Sequence, residues 1–255
     1  MFQQFIRDKR KSLFSVYHEP EVMDHCDTGV VFCYPCGQEY IRCHKLYLNM
    51  ANQLAKRGFH ALRFDYKGTG DSSGDFCELT INQSLEDIHL VIEQFRQSFD
   101  ISRIVLFGVR FGATLAIMYS KLAPVDALIL WNPILDGSSY IKEINESYRR
   151  WLNGSFTKQS KGRNINYMEN FGFQFSETFL NEIRGVRNIG KELDGSIPSL
   201  IFTEQDLGID QRHLFTYEKP VSAEYWIKRE NEFNKVMVPV YETNKTLAWI
   251  TNLTS

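Results

Sequence analysis

Ile104-Val105-Leu106-Phe107-Gly108-Val109-Arg110-Phe111-Gly112-Ala113 decides the reading of this chain. An unbroken apolar run, as a strand buried on both faces requires, passes into Gly-x-Arg-x-Gly and then directly into a helical pattern. The spacing has a steric cause. A residue on a very sharp strand-to-helix turn needs small neighbours two positions away on either side, and such a turn exposes the central side chain at the carboxyl edge of a sheet. The residue so presented here is Arg110, a permanent cation that offers only hydrogen-bond donors.

Outward from this turn, apolar runs alternate with amphipathic segments, the mark of a mostly parallel sheet covered by helices. Strands are expected over 12–18, 21–26, 30–34, 60–65, 103–109, 126–131, 198–203 and 223–228. Helices are expected over 46–57, where Leu46, Met50, Leu54 and Ala55 share a face, and over 84–99, 112–122 and 236–253. The texture changes over 137–190, rich in Asn, Gly, Tyr, Phe and Arg with weak periodicity. This predicts a short helical cap inserted over the sheet, so that residues 1–136 and 191–255 form the two parts of one core.

The 255 residues suffice for one large α/β domain. A hydrophobic share of 43%, a charged share of 24% and a formal net charge of -2 give no electrostatic reason for a nucleic-acid or anionic-membrane partner. No apolar run approaches the ~20 residues that span a bilayer. The basic start (Arg7, Lys9, Arg10) leads into no signal-type apolar segment, so a cytoplasmic location is expected. Five cysteines, an odd number, argue against a disulfide framework. Cys33 and Cys36 with Cys43 and His44 invite a zinc reading, but Cys33 lies inside an apolar strand and no second Cys-x-x-Cys exists. No metal and no cofactor are expected.

A second motif gives the turn its context. The strand ending at Asp65 leads into Tyr66-Lys67-Gly68-Thr69-Gly70-Asp71-Ser72-Ser73-Gly74. A phosphate-binding loop is the alternative for such glycines, but no Lys-Ser/Thr opening a helix follows. The stretch resembles the Asp-x-x-Gly-x-Gly-x-Ser-x-Gly loop of α/β-hydrolases, at the same place in the order of elements. In that superfamily the centre of the Gly-x-x-x-Gly turn carries Ser, Cys or Asp as nucleophile. The resemblance covers nearly the whole chain and implies an α/β-hydrolase fold. Three stretches, 34–39, 70–76 and 108–113, look like the serine-aminopeptidase-like branch. Within it they are similar to hydrolase-like proteins of bacterial exosortase and exopolysaccharide gene clusters, one group of which carries Arg at the elbow.

Under this resemblance the triad order is nucleophile, acid, histidine. Asp206 fits the acid slot, with Glu204 beside it. The histidine should follow the last strand, and none lies there; His213, seven residues past Asp206, comes too early. Where relatives have His-Gly, this chain has Cys36-Gly37, although backbone N–H groups of Phe111 and near Cys36 still suit an oxyanion. Cys36 as a displaced nucleophile has no evident base.

Arg110 is expected to bind an anion, helped by the helix that starts there, or to be sealed by an internal ion pair with Asp206, Glu230 or Glu39. The aromatic residues of the cap either line a pocket or form the cap's own core. The resulting expectation is a degenerate protein that binds an anionic or acylated small molecule in an accessory biosynthetic role. The alternatives are an ester, thioester or peptide hydrolase with a rearranged site, and a non-catalytic partner of an active homologue. A homodimer is compatible with either.

Overall fold

The computed structural model describes residues 1–9, 11–22, 26–154, 167–208, 214–221 and 239–254. In chain order the described elements are β1 (Phe2–Asp8), β2 (Lys11–His18), β3 (Thr28–Cys33), α1 (Gln38–Ala55), β4 (His60–Phe64), α2 (Ile81–Ser98), β5 (Arg103–Val109), α3 (Phe111–Ser120) and β6 (Ala127–Trp131). Then follow α4 (Gly137–Gly154), β7 (Tyr167–Asn170), β8 (Phe173–Ser176), α5 (Glu177–Gly185), β9 (Ser199–Phe202), β10 (Phe215–Glu218) and α6 (Val240–Thr254).

Among these, eight strands form one sheet in the order β1-β2-β4-β3-β5-β6-β9-β10. β1–β2 and β2–β4 pair antiparallel, and every other neighbouring pair is parallel. β3, β4, β5, β6 and β9 are almost wholly buried, which is why each reads as a continuous apolar run rather than an alternating one. α1, α2, α3 and α6 cover the sheet through apolar stripes such as Leu46, Met50 and Leu54 on α1 and Leu85, Ile88, Ile92 and Phe95 on α2. This is the α/β-hydrolase fold, a mostly parallel central sheet flanked by helices.

Three readings change, and a fourth is not reached by the described residues. The strand expected over 21–26 is absent where the chain is described: Glu21 and Val22 form a bend and Cys26 is irregular. β1 was hidden because only Ile6 of its seven residues is buried, so an edge strand leaves almost no apolar pattern. α1 starts at Gln38 rather than Leu46, because Glu39 and Cys43 extend its buried face two turns earlier. The stretch 223–228 and residues 236–238 lie outside the described residues. The strand that joins β9 on its far side is β10, Phe215–Glu218, in parallel register Phe215↔Ser199 to Glu218↔Phe202.

Between β6 and β9 the chain leaves the sheet. Expected as helical, this excursion also holds an antiparallel ribbon, β7–β8, closed by Phe171 (φ 51°) and Gly172 (φ 88°). Positive φ at both central residues is the hand of turn that suits strand twist. α4 and α5 flank the ribbon. Phe175 and Phe179 bury their rings against each other with centroids 5.9 Å apart.

Candidate functional site

The centre of the molecule is the turn at the end of β5. Val109 closes the strand, Phe111 opens α3, and Arg110 alone makes the reversal with φ 54° and ψ -122°. A non-glycine residue held there stores on the order of 1–3 kcal/mol of backbone strain. Its backbone is fixed on both sides: Arg110 N donates to the Trp131 carbonyl at 2.8 Å, and its carbonyl accepts from Ala113 N at 3.0 Å. The flanking glycines are required by contact. A Cβ on Gly108 would stand 2.5 Å from Ala113 N, and one on Gly112 would stand 2.0 Å from the Cys33 carbonyl oxygen.

The strained turn aims the Arg110 side chain into a buried polar cluster, where it is only 3% exposed. Its Nε donates to Glu39 Oε1 at 2.9 Å, and its Nη2 donates to Glu143 Oε1. Glu39 is fixed a second time, accepting from the Tyr140 hydroxyl at 2.9 Å on its other oxygen. The Tyr140 ring also lies 5.7 Å from the guanidinium carbon. The two carboxylates come from different layers: Glu39 from the first turn of α1, Glu143 from the middle of α4. The ion pairs therefore tie the excursion to the core.

Burial opposes charge on Arg110, but the fields of Glu39 and then Glu143 outweigh it and hold the guanidinium above its ordinary range. The Glu143 pKa is raised too, which for a carboxyl disfavours the charged form. Burial raises its pKa more than Arg110 lowers it, and Glu39 raises it further. A cavity of about 30 Å³, room for about one or two waters, opens beside the cluster between Cys36, Glu39, Arg42, Tyr140, Glu143 and Phe175.

Of the residues singled out in the sequence, Cys36, Gly37, Glu39, Arg110 and Phe111 are brought together here. Cys36 is buried with its Sγ 3.7 Å from the Tyr140 hydroxyl. Burial first and Glu39 second push its thiol up to about 12, so it stays protonated and unreactive at neutral pH. Gly37 precedes α1. Phe111 starts α3, where its N–H has no intrahelical acceptor, and its ring stacks on Tyr140 at 5.7 Å.

Asp206 lies past the end of β9 but is not a partner of Arg110. It is exposed, and its Oδ1 accepts from Gly208 N at 2.8 Å in a local turn. Its neighbour Glu204 is exposed and faces Lys219 at 3.7 Å. Glu230 and His213 lie outside the described residues. His213 precedes β10, whereas a triad histidine follows that strand, and the sequence holds no histidine from 214 onward. Among the described residues no histidine hydrogen-bonds to Arg110. His18 meets Arg63 and Asn52, His89 meets Tyr119, and His60 meets Tyr17. No described group of three or more His, Cys, Asp or Glu side chains is arranged to hold a metal ion, and no described helix is long and apolar enough to cross a membrane.

Glu143 escaped the sequence reading, and Tyr140 was read only as one of the cap's aromatics. The signal for both was a stripe on α4: Tyr140, Glu143, Ile144 and Ser147 recur at helical spacing, with one acid on a face that otherwise turns inward.

Known proteins share this fold. A family model described as serine aminopeptidase, S33, matches residues 39–168, a stretch that includes the elbow. No curated protein sequence matches the chain. Among solved structures it is similar to a highly thermostable carboxyl esterase from Bacillus coagulans in complex with glycerol (TM-score 0.65, 13% identity, 100% of this chain and 99% of that one). It is also similar to Est1E from Butyrivibrio proteoclasticus with bound ferulic acid (TM-score 0.62, 15% identity, 98% of each chain). A third likeness is to the esterase domain of a Rhodothermus marinus protein (TM-score 0.61, 15% identity, 98% of each chain). At these identities the structures speak for the fold alone. The family model spans half of the chain, so the chain belongs to the serine aminopeptidase S33 family of α/β-hydrolase-fold proteins.

Proposed function

We propose that this chain is a non-hydrolytic member of its family that uses the elbow to bind an anionic or acylated small molecule. The observation that carries the reading is Arg110 itself, a buried, doubly ion-paired cation on a strained turn where an attacking oxygen would normally stand. Three chemical facts support the loss of nucleophilic catalysis. A guanidinium remains protonated and has no lone pair to donate. The cysteine in the cluster has its thiol pushed up to about 12. No histidine follows β10 to act as general base.

Binding is supported by what the turn retains. Strain of this kind persists where the surrounding structure over-determines it, and it clusters at ligand sites and switches. Arg110 also stands at the N-terminal end of α3, where the helix dipole adds to its own charge. The excursion over 137–190 acts as a cap, and its Phe171 and Phe175 offer apolar wall to an acyl or aromatic group. The setting implied by the sequence resemblance is an accessory role in polysaccharide or other envelope biosynthesis.

The test is hydrolysis of nitrophenyl esters of two to twelve carbons by the purified protein. The expected outcome is no turnover above buffer at any chain length. Saturable turnover lost in Cys36→Ala would overturn the reading in favour of a rearranged hydrolase.

A further inference from the structure

The two carboxylates on Arg110 are not equivalent. Glu39 is 7% exposed as a residue and is held on both oxygens, by Arg110 Nε and by the Tyr140 hydroxyl. Glu143 has a side chain 30% exposed, and among the described residues its one hydrogen bond is to Arg110 Nη2. Its ionised form is also disfavoured where it sits, chiefly by burial. One partner is held on both oxygens and buried, and the other is held on one oxygen, partly exposed and in the cavity wall.

From this asymmetry we infer that the Glu143 position on Arg110 is a carboxylate-binding subsite, and that its ligand is a monocarboxylate with an apolar tail. The ligand's carboxylate replaces that of Glu143 on Nη2, while Glu143 moves out toward water.

Charge selects the head group. Arg42, Glu39 and Glu143 line the cavity, and Arg110 is bound to both of these carboxylates, so the group holds two cations and two carboxylates. Exchange of one carboxylate for another keeps this balance. A phosphate monoester near neutral pH brings close to two charges and would place the second against Glu39, which does not leave. Walls select the tail: Tyr140, Ile144, Phe171 and Phe175 line the same cavity. At about 30 Å³ the cavity is too small for such a molecule as it stands, so entry requires the Glu143 side chain, and α4 with it, to give way. Displacing Glu143 removes one of the ties between α4 and the elbow, which couples occupancy to the position of the cap.

This inference rests on the reading that the elbow binds rather than cleaves, and its test uses a free acid with no bond to cleave. Ester turnover would therefore sink that reading without deciding this one. Octanoate, octanol and octyl phosphate are titrated calorimetrically into the full chain and into Glu143→Gln, Glu143→Ala and Arg110→Gln. Removing the competing charge should tighten octanoate binding about tenfold in both Glu143 variants, the equivalent of one charge-assisted hydrogen bond freed. Octanol should be unaffected, and Arg110→Gln should weaken octanoate tenfold or more. If Arg110→Gln does not fold, the contrast between octanoate and octanol in the Glu143 variants decides alone. The inference is overturned by any of three results: octanoate bound equally with and without Glu143, octanol tightened as much as octanoate, or octyl phosphate preferred to octanoate.

Discussion

Single residues in this protein are charged against their surroundings, and each is stabilised by a particular partner. Arg110 is buried yet held ionised because Glu39 stands at 2.9 Å and Glu143 shares its other edge. A second buried cation, Arg63, meets a different solution. Its Nε donates to His18 Nε2 at 3.1 Å and its Nη1 to the Tyr34 hydroxyl at 3.2 Å. His18 must then carry its proton on Nδ1, which donates to Asn52 at 2.9 Å. Burial first, and the Arg63 cation second, lower the His18 pKa from 6.5 to about 4. The unfolded chain therefore takes up a proton that the folded one refuses. The stability due to neutral His18 is fully present above pH 6.5 and is lost as pH falls from there toward 4. Urea midpoints at pH 7.5 and 4.5 should show a loss on the order of 1–2 kcal/mol that His18→Gln does not share. Equal pH dependence in the two proteins would remove His18 as the cause.

At the scale of elements, the junction of β5 and α3 leaves no spare room. A Cβ at Gly112 would lie 2.0 Å from the Cys33 carbonyl on β3, so Gly112→Ala must push α3 off the sheet. It should destabilise by about 3 kcal/mol or more, within the range of core overpacking. Gly185→Ala at the end of α5, where nothing lies within 4 Å, should be neutral or slightly stabilising. Thermal melts of the two variants separate the cases, and an unchanged midpoint for Gly112→Ala would show the turn to be looser than described. This junction was legible in the sequence because steric demand is local: two glycines flanking one residue between an apolar run and a helical one admit few shapes. The excursion was less legible. Its ribbon depends on positive φ at Phe171, a residue type that gives no warning of it, and β1 buries a single side chain. The carboxylate of Glu143 could not be assigned to Arg110 from sequence, since the pairing depends on how α4 crosses the elbow. Glu39 was nameable only as one of three acids, and Asp206, another of them, turned out to satisfy its own loop.

At the scale of the whole molecule, the sheet keeps the order and directions on which its family builds catalysis, with the elbow at the carboxyl end of central β5. In the function proposed above, the departures are Arg110 at the elbow, held by Glu39 and by Glu143 of α4, and the lack of a histidine after β10. If the loss of chemistry is distributed in this way, restoring one part cannot restore the reaction. A serine returned to the elbow would find the Glu39–Tyr140 pair in place but no histidine base after β10. The most direct measurement is hydrolysis of nitrophenyl butyrate by the wild-type chain and by Arg110→Ser, side by side. Both should be indistinguishable from buffer. Turnover by Arg110→Ser would reveal an intact base beside the elbow, and turnover by the wild type would contradict the account at its centre.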